Sequence, residues 1–192
     1  LNIFHHLADA LQKDEKKKGV SQKIDPKELL KRFDISLEKE GVLNSKLITS
    51  LKDIILNTPK TSSSLFFNQL FGGIDNKAAL GDLLAVLLNN SMSTYKIAGP
   101  MIEVEKEIIR KVCDLISYPQ TSGGTFPTGG SMSNFMALII AKDKKYPNTK
   151  NEGGTDKFVC YSSDSSHYSI GKNAAFSGIG KNNVRYIPTN NK

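Results

Sequence analysis

Apolar residues recur at helical spacing through the first third of the chain. Ile3, Phe4, Leu7 and Leu11 form one stripe, Leu29, Leu30 and Phe33 a second, and Leu43, Leu47, Leu51, Ile54 and Ile55 a third. That period gathers side chains on one face of a helix. Asp25 and Pro26 stand ahead of the second stripe as an N-cap and a first-turn proline. The stripes are narrow, and the positions between them are rich in Lys and Glu. Residues 1–60 therefore read as an N-terminal helical segment without a core of its own, which must pack on the rest of the protein or on a second subunit. A break rich in Thr, Pro and Ser closes it, from Asn57 to Ser64.

A compact aromatic patch follows at residues 65–73. Residues 79–88 are apolar nearly all round and predict a buried helix. Residues 97–118 predict one long amphipathic helix, with Met101, Val104, Ile108, Val112 and Leu115 on one face and Glu103, Lys106, Glu107, Arg110 and Lys111 on the other. At residue 123 the texture changes. A glycine-rich strand and loop spans 123–130, and an apolar helix opens at Ser131 and stops before Pro147. A short buried strand is expected at 157–161. A helix opens at His167 and is closed by Gly178 and Gly180, and another strand covers 184–187. Alternating strands and helices predict an α/β fold with a parallel or mixed sheet. The expected organisation is a helical segment, 1–60, and the first part of an α/β domain, 61–192.

Composition narrows the classes. With 192 residues, 39% hydrophobic and 23% charged, the chain has ordinary globular texture. No apolar run approaches the roughly 18–20 residues of a membrane span, and Asp9 interrupts the short apolar start, so no signal peptide is read. A start at Leu1 and an end just after an apolar stretch suggest a piece of something longer. The net charge of +7 is spread along the chain, and Lys16-Lys17-Lys18 is flanked by Asp14 and Glu15. Nucleic acid is not an expected partner. Cys113 and Cys160 lie far apart in apolar stretches, which fits free thiols in a reducing, cytoplasmic compartment. Asn89-Asn90-Ser91 is a formal glycosylation sequon within a helical pattern and is taken as chance.

Two segments could carry chemistry. Gly129-Gly130-Ser131-Met132-Ser133 meets a helix start, where free amides and the helix dipole suit a phosphate; an ordinary serine cap would read the same way. A P-loop would need Lys where Gly130 follows Gly124-x-x-x-x-Gly129, and a hydrolase elbow would need Gly where Ser133 stands. The second segment is Ser162-Ser163-Asp164-Ser165-Ser166-His167-Tyr168-Ser169. A His just after a strand sits where α/β folds bind ligands, and it equally suits a structural hydrogen bond. Nothing assembles a Ser-His-Asp triad. The chain's three His, two of them adjacent at His5 and His6, give no metal-ligand spacing.

Four blocks occur in order: Phe66-Phe67-Asn68-Gln69-Leu70, Asn90-Ser91-Met92-Ser93-Thr94-Tyr95-Lys96-Ile97-Ala98, Gly129-Gly130-Ser131-Met132-Ser133-Asn134 and Ser163-Asp164-Ser165-Ser166-His167-Tyr168-Ser169-Ile170. Together they resemble the amino-terminal part of the group II decarboxylases that use pyridoxal 5′-phosphate, the branch that includes glutamate, aspartate and cysteine-sulfinate decarboxylases. The resemblance covers roughly residues 60–192. It implies the large domain of the type I pyridoxal-phosphate fold, here incomplete, with a mixed, mostly parallel sheet. It also implies an intertwined homodimer and a carboxy-lyase that turns an amino acid into an amine and CO₂. Ser131, Met132 and Ser133 would cradle the cofactor phosphate. His167 would stack on the pyridine ring and serve catalysis, and Asn68, Gln69 and Phe71 would meet the substrate.

The resemblance places the lysine that binds the cofactor covalently, the aspartate that pairs with the pyridine nitrogen and the arginine that reads a side-chain carboxylate beyond residue 192. Lys172, in the helix after His167, has the wrong context for the first of these, so these 192 residues alone are expected to be inactive. Lys96 stands where the glutamate branch shows an acidic residue, and Gly99-Pro100 also departs from it. Both weaken glutamate as substrate and leave aspartate, cysteine sulfinate and diaminobutyrate open. The alternatives are a non-catalytic assembly fragment of the same fold and another type I enzyme, such as a lyase or aminotransferase.

Overall fold

The computed structural model describes residues 2–15, 19–21, 24–33, 39–68, 70–154 and 158–190. Gln69, one of the expected substrate contacts, lies outside them. The chain divides into two compact units, Leu1–Asn89 and Asn90–Lys192. Composition changes earlier, at the break near residue 60.

In the first unit the three stripes become α1 (Asn2–Glu15), α2 (Pro26–Arg32) and α3 (Asn44–Asn57). Asp25 caps α2 by accepting from the Lys27 amide at 2.8 Å, with Pro26 in the first turn. α1 packs on α3. A buried ion pair joins the Lys60 ammonium to Asp14, and the Lys60 amide donates to the Val20 carbonyl at 2.9 Å. Together they tie the segment after α3 to α1 and its exit. α4 (Asn76–Leu88) is capped by Asp75, whose Oδ1 accepts from the Lys77 and Ala78 amides at 2.8 and 2.9 Å. It ends at Asn89 in the left-handed conformation. The buried helix expected here is present, but none of its residues is buried. An apolar pattern states what a helix needs covered; it supplies no cover by itself.

The second unit breaks the long helix expected at 97–118. It forms α5 (Tyr95–Ala98) and α6 (Met101–Leu115), because Pro100 has no N–H to continue the ladder of α5 and stands instead at the start of α6. The amphipathic pattern survives on α6. Its polar face carries an Arg110 guanidinium paired with Glu107 at 2.7 Å and Asp114 at 2.9 Å, and its apolar residues Val104, Ile108 and Val112 remain exposed. The accessible surface of 16078 Å² far exceeds the roughly 9,000 Å² expected of a folded monomer of this mass. Among the described residues no helix is long and apolar enough to cross a membrane.

The strand expected within 123–130 does not form among the described residues. Glu105 of α6 holds that segment instead, accepting from the Thr125 hydroxyl at 3.0 Å and the Phe126 amide at 3.2 Å. Then come α7 (Gly130–Lys145), α8 (Thr149–Glu152), β1 (Cys160–Ser163), α9 (Ser169–Phe176) and β2 (Val184–Ile187). The two strands pair in parallel, Cys160 opposite Val184 and Ser163 opposite Ile187. The strand expected at 157–161 thus begins later, because its pairing starts where β2 starts; Lys157 lies outside the described residues. Likewise the helix expected from His167 begins at Ser169. Phe158, Ala174, Ile179 and Val184 form a small core with Leu138, Cys160 and Ile170 against it. α9 lies so close to β2 that a Cβ on Gly171 would stand 2.8 Å from the Tyr186 hydroxyl, so a side chain there would require the Tyr186 ring to shift.

Candidate functional site

β1 and β2 both end at one edge of the sheet, at Ser163 and Ile187, and the chain leaving β1 is folded tightly there. The Ser166 hydroxyl donates to the Ser163 carbonyl at 2.7 Å and accepts from the Ser162 hydroxyl at 2.8 Å. The Asp164 amide donates to the Ile187 carbonyl at 3.1 Å. The Asp164 carboxylate accepts from the Thr189 hydroxyl at 2.6 Å and the Thr189 amide at 3.1 Å. These bonds clip the turn after β1 to the segment after β2.

The clip has a pH signature. The Thr189 hydroxyl, followed by the Thr189 amide and Ser165, holds the Asp164 carboxyl below the usual aspartate range. A depressed pKa gives stability that is present above the unfolded value, about 3.9, and is lost as pH falls through the folded one. The clip should therefore persist down to about pH 4 and release on further acidification. A carbon-detected titration of Asp164 should show a midpoint below the ordinary value, and Thr189→Val should move it back up. An ordinary midpoint in the parent protein would refute the clip.

This turn delivers His167, which is exposed, to the start of α9. Its Nδ1 lies 2.8 Å from the Ser169 hydroxyl and accepts from the Ser169 amide at 3.3 Å. Ser169 is fully buried, at 0% exposure, and its hydroxyl accepts from Asn134 Nδ2 at 2.9 Å. One turn along α9, Asn173 donates through Nδ2 to the Ser131 carbonyl at 2.9 Å. Spacings of three residues on α7 (Ser131, Asn134) and four on α9 (Ser169, Asn173) put both pairs on facing sides of packed helices. His167 and the Ser131 loop, far apart in sequence, are thereby braced together.

The loop itself turns at Gly129, with φ 104° and ψ 165°, a conformation that L side chains avoid. The Gly129 carbonyl accepts from the Met132 and Ser133 amides, each at 3.1 Å, and from the Ser133 hydroxyl at 3.2 Å. The amides of Met132 and Ser133 are thus turned into the helix. Those of Gly130 and Ser131, with the Ser131 hydroxyl, have no partner among the described residues. All of these residues are exposed. The first two amides of α7, at the positive end of its dipole, fit an anion such as a phosphate.

Asn68 and Phe71 belong to the first compact unit. Asn68 Oδ1 accepts from the Leu70 amide at 2.8 Å, which fixes the side chain and leaves its NH₂ group as the free donor. Phe71 packs edge-on against Phe66, ring centres 5.5 Å apart. Asn134, Ser169 and Asn173 were not expected as site residues from sequence. The only local signal was for Ser169 and Asn173, polar residues one turn apart on α9, a helix otherwise made largely of small and apolar residues; Asn134 on α7 had none.

Residues 26–192 match the pyridoxal-dependent decarboxylase conserved domain. The chain is 34% identical to human cysteine sulfinic acid decarboxylase over 96% of its own length and 38% of that protein's. It is 32% identical to an acidic amino acid decarboxylase from Xenopus tropicalis, over 92% of its own length and 36% of the relative's. The crystal structure of mouse CSAD superposes with a TM-score of 0.92 at 30% identity, covering 98% of this chain and 40% of that one. The chain therefore spans less than half the length of the relatives it matches.

Proposed function

The chain belongs to the pyridoxal-dependent decarboxylase family, and on that premise we propose that it is the amino-terminal part of an enzyme removing the α-carboxylate of an acidic L-amino acid as CO₂. The observation that carries this reading is the open amino end of α7 braced to His167 through Asn134 and Ser169. The cofactor is pyridoxal phosphate. When bound, its ring supplies the electron sink that loss of CO₂ requires. The amides of Gly130 and Ser131 and the hydroxyls of Ser131 and Ser133 would hold its phosphate, with Met132 beside them. His167 would stack on the ring and could offer a hydrogen-bond donor. Asn68, whose NH₂ group has no partner among the described residues, would donate to a substrate carboxylate without adding charge, and Gln69 and Phe71 are the other substrate contacts in this reading.

Likeness to human cysteine sulfinic acid decarboxylase supports an acidic substrate of the sulfinate or carboxylate kind. The exposed apolar residues of α4 and α6 support a homodimer in which other protein covers them. The free thiols of Cys113 and Cys160 support a cytoplasmic location. The 192 residues on their own are inactive in this reading, since none of their lysines has the context of the cofactor-bound one. The test is CO₂ release by the full-length protein with added pyridoxal phosphate on cysteine sulfinate, aspartate, glutamate and 2,4-diaminobutyrate. Turnover of cysteine sulfinate or aspartate is expected, and no turnover of any of the four would refute the proposal.

Ser133→Ala removes one hydroxyl from the phosphate loop and leaves the helix intact. It should weaken cofactor binding by roughly 1–2 kcal/mol, the scale of one hydrogen bond to a charged group. Because that hydroxyl also donates to Gly129, apoprotein stability should be measured beside affinity.

A further inference from the structure

The hydrogen bonds around His167 all run in one direction. An amide N–H can only donate, so the contact from Ser169 N at 3.3 Å requires a lone pair on Nδ1. The Ser169 hydroxyl, 2.8 Å from the same nitrogen, then points its hydrogen there as well. That orientation is supported from behind. Asn134 Nδ2 carries only hydrogens, and at 2.9 Å it occupies a lone pair of the Ser169 oxygen. Ser169 is at 0% exposure, so water does not compete for the hydroxyl. A neutral imidazole with a lone pair on Nδ1 carries its proton on Nε2, and Nε2 has no acceptor among the described residues.

We propose that Ser169 and Asn134 are positioning residues that lock neutral His167 in the Nε2–H tautomer, so that the ring presents a fixed donor to an oxygen of the bound substrate or cofactor. The substrate part of this statement rests on the decarboxylase reading; the tautomer lock rests on the geometry alone. The lock also couples two parts of the site. Asn134 lies one turn into α7, whose first amides hold the phosphate, so a displacement of that helix changes the bond that orients the Ser169 hydroxyl. In the wrong tautomer the ring would offer a lone pair where an anionic oxygen needs a donor.

The test uses the full-length protein without cofactor, its histidines labelled with nitrogen-15, at alkaline pH where imidazole is neutral. The signals of His167 are identified by their loss in His167→Gln. Long-range proton–nitrogen correlations distinguish a bare Nδ1 from a protonated one. Parent protein should show the proton on Nε2. Asn134→Asp is nearly isosteric and reverses the relay: a carboxylate accepts from the Ser169 hydroxyl, whose lone pair then faces the ring. It should move the tautomer ratio toward Nδ1–H by about fivefold, the effect of one hydrogen bond. Ser169→Ala leaves only the amide contact and should give an intermediate ratio.

Both variants should lower kcat by about tenfold or more with pyridoxal phosphate retained. A proton on Nδ1 in the parent protein, or an unchanged ratio in both variants, would overturn the lock. Normal kcat in both variants despite a shifted ratio would overturn its role in the reaction. If the parent protein releases no CO₂ from any substrate while the ratios shift as described, the decarboxylase reading fails and the tautomer lock stands.

Discussion

His167→Gln in the full-length protein should lower kcat by about 10²-fold, the lower end of what a positioned proton donor contributes, while pyridoxal phosphate stays bound. Glutamine keeps a hydrogen-bonding group but loses the flat ring, and it cannot be oriented by Ser169 as the imidazole is. Cofactor retention is expected because, in the proposed site, the phosphate would be held elsewhere, by the amides of Gly130 and Ser131 at the head of α7. The bond from Asn134 to Ser169 and the bond from Asn173 to Ser131 do not involve the imidazole, so the loop should keep its place when the ring is removed. The measurement is single-turnover decay of substrate beside equilibrium titration of the cofactor. Wild-type turnover would return His167 to a structural role. Loss of the cofactor together with activity would mean that the ring, and not the loop, is the main anchor.

The contrast between ring and loop mirrors what could be read from the sequence. The helical stripes of α1 and α3 were legible because a period of about 3.6 residues is a local property, and Asp25-Pro26 announced the start of α2 because capping is local too. β2 was legible as a short apolar run before Pro188. β1 was displaced by a few residues because a strand is defined by its partner: the ladder begins at Cys160 only because Val184 stands opposite. The break at Gly99-Pro100 was visible in the letters, but the apolar stripe of α6 continues the phase of α5 across it. Periodicity without attention to the missing N–H of Pro100 therefore merges them.

Near the sheet ends, the loop and His167 were singled out from four blocks in order, while Asn134, Ser169 and Asn173 were not assigned roles. A buried serine bonded to an asparagine 35 residues away leaves no periodic trace. Its meaning depends on α7 and α9 packing, which is a tertiary fact. The same holds for α4, whose composition called for burial that the described residues do not provide. The exposed faces of α4 and α6 leave their helices supported mainly by local preference and packing within their own units.

Gly129→Ala should cost more than any other single methyl added to the loop, and the adjacent Gly130→Ala shows why. Neither glycine has an atom within 4 Å of where a Cβ would sit, so crowding does not separate them. Backbone does: Gly129 has φ 104°, which an L side chain adopts only under strain of about 1–3 kcal/mol, whereas Gly130 is the first residue of α7. Relaxing φ at residue 129 would swing its carbonyl away from the Met132 and Ser133 amides and the Ser133 hydroxyl that it now accepts. The amides of Gly130 and Ser131 would turn with it. The cofactor-free Gly129→Ala protein should melt measurably earlier, and its affinity for pyridoxal phosphate should fall roughly 5- to 150-fold if the whole strain is expressed on binding. Gly130→Ala in the cofactor-free protein should be neutral or slightly stabilising, because alanine loses less freedom in a helix than glycine. Equal melting of the two variants would show that the φ of Gly129 is not a constraint on the loop. An early-melting Gly129→Ala protein that still binds the cofactor with parent affinity would move the phosphate away from the head of α7.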